Sequence, residues 1–147
     1  MQKQQLTLGA FEYVGLPAFG EKQVLAKLDT GAFSGAVHCT DIKVVRRGPK
    51  KERVLTFNPF GNQENRLETK RFQQRKVRSA TGHEQKRFII DTEIDLAGEH
   101  YSITIGLSDR SDMTYEILLG RRFLRDNNVL IDPRRNQELD DEWENGP

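Results

Sequence analysis

The chain has 147 residues, 23 Lys and Arg against 22 Asp and Glu, and a formal net charge of +1. That length predicts one domain, large enough for a real core but small for a two-lobed enzyme. No apolar run is long enough to cross a membrane and the start, MQKQQLTLGAF, has no signal-peptide core, so a cytoplasmic protein without a membrane partner is expected.

In chain order, LTLGAFEYVGLP, QVLAKLD, AVHCTDIKVVRR, RVLTFN, KRFQQRKVRS, KRFIIDTEIDL, HYSITIGL and VLIDP alternate or carry short apolar runs. Turn signals separate them at Leu16-Pro17, Gly48-Pro49, Asn58-Pro59, Thr81-Gly82 and Ala97-Gly98. An all-β, barrel-like single domain over residues 1–133 follows. Residues 58–70, NPFGNQENRLETK, have almost no apolar content and are expected to form a mobile surface excursion. Residues 134–147 read as an acidic, disordered tail, with Trp143 as a dangling aromatic in it. The lone cysteine, Cys39, excludes an internal disulfide and reads as a small buried hydrophobe.

The stretch VLAKLDTGA, residues 24–32, is an alternating strand that runs into Asp29, Thr30 and Gly31. Two carboxylates held face to face cannot both ionise, which leaves one as base and one as acid, and Asp29 is the candidate for that chemistry. Thr30 can donate its hydroxyl to backbone across such a site. Gly31 lets the chain reverse with its amide aimed at the acid, and Ala32 adds little bulk. By composition alone the triplet arises in a chain of this length about one time in forty, and an ordinary strand-to-turn boundary would look the same.

A second signal lies at ILLGRRFL, residues 117–124. Three apolar residues predict a short buried strand, Gly120 breaks it, and RRFLRDNN has the length and polarity of a two-turn helix. Such a strand could pack beside the one that carries Asp29.

Taken together, KLDTGAFSGAVHC at 27–39, VRSATGHEQKRFII at 77–90, LSDRSDMTYEILLGRRFL at 107–124 and VLIDP at 129–133 resemble the bacterial retropepsin-like family of small aspartic peptidases. Members of that family are often labelled "ATP-dependent zinc protease" and are associated with ATP-grasp ligases that add glutamate. The resemblance runs from about Leu6 to Pro133, with Phe33, Ser34 and Glu116 departing from the family pattern. It implies a retropepsin-like acid protease barrel with one short helix after the ILLGRR strand, and a functional association with such a ligase. Arg121 is implied to brace the fold or dimer through a carboxylate, with Arg122 as its competitor. Because only one DTG occurs and no second VLAKLDTGA-like segment exists, paired aspartates require a homodimer with Asp29 and its mate on the two-fold axis.

Ser79, Ala80, Thr81, Gly82 and His83 form the tip of a predicted hairpin, which the resemblance makes a flap over the substrate; a plain surface hairpin is the alternative. From Lys43 to Arg87 there are fourteen Lys and Arg against four acids, while the tail from Gln137 holds five acids and no base. Lys70, Arg71, Arg75, Lys76 and Arg78 read either as a solvated strand face or as a surface for an acidic, glutamate-rich peptide or protein. Sparse aromatic interleaving speaks against nucleic acid. Neither a HExxH pair nor a GxxxxGK[ST] loop is present, so neither metal nor ATP is expected as a cofactor. Two functions stay open: an aspartic peptidase hydrolysing a peptide or amide bond, and a non-catalytic binding module of the same fold that holds an acidic partner through its basic central region.

Overall fold

A computed structural model describes residues 4–78 and 82–142, with residues 77 and 78 described by their backbone alone. Among the described residues, eleven strands and one α-helix follow in the order β1 (Leu6–Leu8), β2 (Phe11–Leu16), β3 (Glu21–Leu28), β4 (Gly35–Arg47), β5 (Glu52–Pro59), β6 (Leu67–Thr69), β7 (Gln73–Arg78), β8 (Glu84–Leu96), β9 (Glu99–Ser108), β10 (Ile117–Leu119), α1 (Arg121–Asp126) and β11 (Val129–Ile131). The all-β expectation holds, and the helix falls directly after the ILLGRR strand.

The main sheet closes on itself. Its order is β10-β3-β2-β8-β9-β4, and β4 returns to β10, so the ring has no free edge. Strand β10 is the closing stave: Ile117, Leu118 and Leu119 pair parallel with Ala26, Lys27 and Leu28, while Ile117 and Leu118 pair antiparallel with Val37 and Ala36. A strand hydrogen-bonded on both sides inside a barrel must be apolar, and Ile117 and Leu119 are fully buried. Leu16, Ala26, Val37, Cys39 and Ile94 share that core at 0% exposure.

Two hairpins project from the barrel. The second half of β4 leaves the ring at an irregularity between Thr40 and Lys43 and pairs with β5, which in turn carries β6. The first half of β8 pairs with β7, and its second half pairs with β9 across a tight turn at Ala97-Gly98, both at positive φ.

Three local features differ from the reading by pattern. The run LTLGAFEYVGLP is two strands: β1 leaves the barrel and pairs parallel with β11, and β2 stays in it. The turn signalled at Asn58-Pro59 comes later, at Phe60 and Gly61, because β5 continues through Pro59 opposite Cys39. Residues 58–70, expected as a mobile excursion, hold β6 and are tied down. Arg66 donates to the Asp41 carboxylate at 2.9 Å, to the Asp41 carbonyl at 3.1 Å and to Asn58 Oδ1 at 3.0 Å, and Asn65 donates to the Phe19 carbonyl at 3.0 Å. One polar side chain that bonds exposed Asp41 and buried Asn58 together does what apolar content would otherwise do.

Past Pro133 the chain folds back over β1 and β2. Asn136 donates to the Phe11 carbonyl at 3.2 Å, and the Tyr115 hydroxyl donates to the Asp141 carboxylate at 2.8 Å. Residues 134–142 therefore dock where a free acidic tail is expected; Trp143 lies outside the described residues.

Candidate active site

Strand β3 delivers Asp29 to the end of the barrel beside β10. The Asp29 amide continues the ladder by donating to the Leu119 carbonyl at 2.8 Å, which fixes the residue's backbone against the closing stave. The chain then turns. The Ala32 amide donates to the Asp29 carbonyl at 3.3 Å, and the Gly31 amide donates to the Asp29 Oδ1 at 2.8 Å. A carboxylate oxygen held by a backbone N–H on a rigid turn is oriented, and its second oxygen is left for other chemistry.

The turn and the helix satisfy each other. Helix α1 has no side-chain cap at Gly120, so its first amides need other acceptors. The turn supplies them: Arg121 N–H donates to the Ala32 carbonyl at 2.7 Å and Arg122 N–H to the Phe33 carbonyl at 3.1 Å. In the other direction, the Arg121 guanidinium donates to the Gly31 carbonyl at 3.0 Å and the Thr30 carbonyl at 3.4 Å, and lies over the Phe33 ring at 5.6 Å. The contacts of Arg121 are thus to carbonyls and an aromatic face, where a carboxylate is expected. The fit is close: a Cβ on Gly120 would stand 2.5 Å from the Phe33 carbonyl oxygen, and one on Gly35 would stand 2.6 Å from the Leu118 oxygen.

Asp29 and Ala32 are half-buried, whereas Thr30 and Gly31 are exposed. Gly82 and His83 sit exposed at the end of the β7–β8 hairpin, and among the described residues no hydrogen bond joins them to the Asp29 turn. Ser79, Ala80 and Thr81 lie outside the described residues. The structure therefore brings Asp29, Thr30, Gly31, Ala32, Gly120 and Arg121 together at one place.

Among the described residues the donors do not fit zinc. His38 is buried and its Nδ1 accepts the Arg110 amide at 2.8 Å, which occupies the nitrogen. Its neighbour Cys39 sits in the core, where burial pushes the thiol up from 9.0 to about 12, far from the thiolate a metal needs. Among the described residues no three His, Cys, Asp or Glu side chains converge on a point.

A pocket of about 410 Å³ opens next to the turn. It begins at Phe33, Ser34 and Gly35 and extends between the β7–β8 hairpin and α1, where Arg75, Arg87 and Arg122 enter it. Pattern reading missed this cluster and assigned Arg75 to a solvated face or general basic surface. The register sets Arg75 opposite Arg87, and only the fold brings Arg122 to the pair.

A closed all-β barrel with a DTG turn locked to β10 and α1 defines the retropepsin-like class of fold. The chain belongs to the RimB-like family, described as "Retropepsin-like aspartic endopeptidase RimB", whose model matches residues 7–141. It is 29% identical over 136 residues to a protein named "Probable alpha-L-glutamate ligase" from Shewanella pealeana, and 28% identical over 141 residues to one of that name from Parasynechococcus marenigrum. Those alignments cover 90% and 94% of this chain but only 30% of each relative, so the chain spans under a third of the curated relatives it matches. Among solved structures, a protein of unknown function from Legionella pneumophila superposes with a TM-score of 0.67 at 26% identity, covering 88% of this chain and 95% of that one.

Proposed function

We propose that this chain is one half of a homodimeric aspartic peptidase that hydrolyses a peptide or amide bond with an activated water. The observation that carries the reading is the Asp29 turn, with one carboxylate oxygen fixed by the Gly31 amide at 2.8 Å and the backbone locked to Leu119. One such turn per chain makes half of a two-carboxylate site, and a two-fold axis supplies the rest. In the dimer, one Asp29 takes a proton from the water while its mate donates one to the substrate carbonyl. The tetrahedral intermediate collapses as the leaving amine takes a proton, the C–N bond breaks, and no covalent enzyme adduct forms. Thr30 and Gly31 keep the two aspartates in register, and Arg121 holds the turn that carries them.

The outer row of the β1–β11 ribbon supports the dimer. Thr7 pairs with Leu130, and Leu130 is 52% exposed while Leu8 on the other face is buried in the core. A two-stranded ribbon outside the barrel with an apolar outer residue suits the same ribbon of a second copy. The ligase relatives support an acidic, glutamate-rich substrate and work beside an ATP-grasp ligase in the cytoplasm. On this reading the chain removes or trims what such a ligase adds.

Asp29→Asn should abolish hydrolysis of a glutamate-tailed peptide while the dimer persists in sedimentation. Retained turnover would overturn the aspartyl mechanism. Chelator should leave the rate unchanged, and a loss restored by zinc would revive a metal mechanism.

A further inference from the structure

The β7–β8 hairpin sets like charges directly against each other: Arg75 faces Arg87 and, one row on, Lys76 faces Lys86. Like charges opposite one another in an antiparallel pair are destabilising, and a second unfavourable row adds to the first. Alternation sends the two rows to opposite faces, so Arg75 and Arg87 share a face. That face is the wall of the 410 Å³ pocket, and Arg122 enters the same pocket from α1.

Among the described residues none of these three guanidiniums is ion-paired. Asp91 and Asp126 also line the pocket, but neither is within ion-pair distance of the arginines, and the Asp91 carboxylate already accepts the Thr104 hydroxyl at 2.6 Å. Three planar forks of donors that line one pocket without a paired carboxylate, one of them only weakly bonded to Gln73 at 3.5 Å, suit an oxyanion from outside the chain. The pocket's near wall, Phe33 to Gly35, is the segment that leaves the Asp29 turn, so an extended peptide lying over Asp29 reaches it with a side chain.

We infer that Arg75, Arg87 and Arg122 form a side-chain subsite that grips one carboxylate of the bound peptide to one side of the scissile bond. This rests on the peptidase reading of Asp29 and makes these arginines its specificity-determining residues. A carboxylate between Arg75 and Arg87 also relieves their repulsion, so substrate binding firms that row of the hairpin.

Binding to the Asp29→Asn protein, read by fluorescence anisotropy with labelled hexaglutamate and hexaglutamine, separates recognition from turnover. Hexaglutamate should bind more tightly, and Arg87→Gln or Arg122→Gln should each lower the glutamate preference about tenfold. The double charge reversal Arg87→Glu with Arg122→Glu should move the preference to hexalysine, a gain that misfolding does not produce. An unchanged glutamate preference in variants that melt like the parent would overturn the subsite. Inorganic phosphate should be displaced by hexaglutamate in parallel with peptide binding; phosphate held by the arginines with no competition from the peptide would make this a free-anion site and defeat the inference. Hydrolysis surviving in Asp29→Asn would sink the peptidase reading alone, since the binding ratios do not depend on turnover.

Discussion

Gly120 stands where the aspartate turn and the helix start come into backbone contact. A methyl group there would face carbonyl oxygen and carbonyl carbon of Phe33 at 2.5 and 2.7 Å, and a rotamer change relieves neither contact. Gly120→Ala should cost about 1–3 kcal/mol by overpacking, read as a lower midpoint in urea. Since the displaced atoms belong to the segment that leaves Asp29, hydrolysis should fall further than stability does. A variant as stable and as active as the parent would show that the two segments are not locked. Asp29, Gly31 and Gly120 were legible as residues because a sharp turn and a strand break each leave a glycine in the sequence. The stacking of Arg121 on Phe33 was not, since it joins segments far apart in the chain and no local pattern announces a ring beneath a guanidinium.

Strands were legible wherever alternation met a buried face, as in β3, β8 and β9, and so was the short helix after ILLGRR. The split of the first strand at Gly9 was hidden, because what separates β1 from β2 is the partner each finds, not its composition. The ordering of residues 58–70 was hidden for a related reason: Arg66 reads as polar surface and acts as a clamp. The β7–β8 hairpin shows how register turns a vague basic region into specific pairs. Lys76 and Lys86 point away from the pocket, so their repulsion can be removed without touching it. Lys86→Glu should raise stability by roughly 0.5–1 kcal/mol at low salt, with the gain shrinking as salt is added. A melting temperature unchanged or lowered at low salt would contradict the register of this hairpin.

On the scale of the whole molecule, the proposed dimer rests on the β1–β11 ribbon, which lies outside the closed barrel. Leu130→Glu would put a charge on the outer row of each copy, where two like charges would meet across the proposed two-fold axis. It should shift the protein to monomer in light scattering and abolish hydrolysis, while circular dichroism stays that of the parent. A monomeric parent that still binds hexaglutamate would instead favour the non-catalytic module. Barrel closure itself was only half legible: the sequence marks β10 as buried but not that it fits between β3 and β4.

The parallel pairing of β1 with β11 has a mechanical consequence. Leu6 lies beside Val129 and Leu8 beside Ile131, so tension applied through the upstream and downstream chain pulls the two strands past each other lengthwise. Their hydrogen bonds are then loaded together, in shear, and do not open one at a time as a hairpin pulled from its open end would. Tethered within a larger assembly, the domain would resist being drawn apart at the ribbon that guards its barrel.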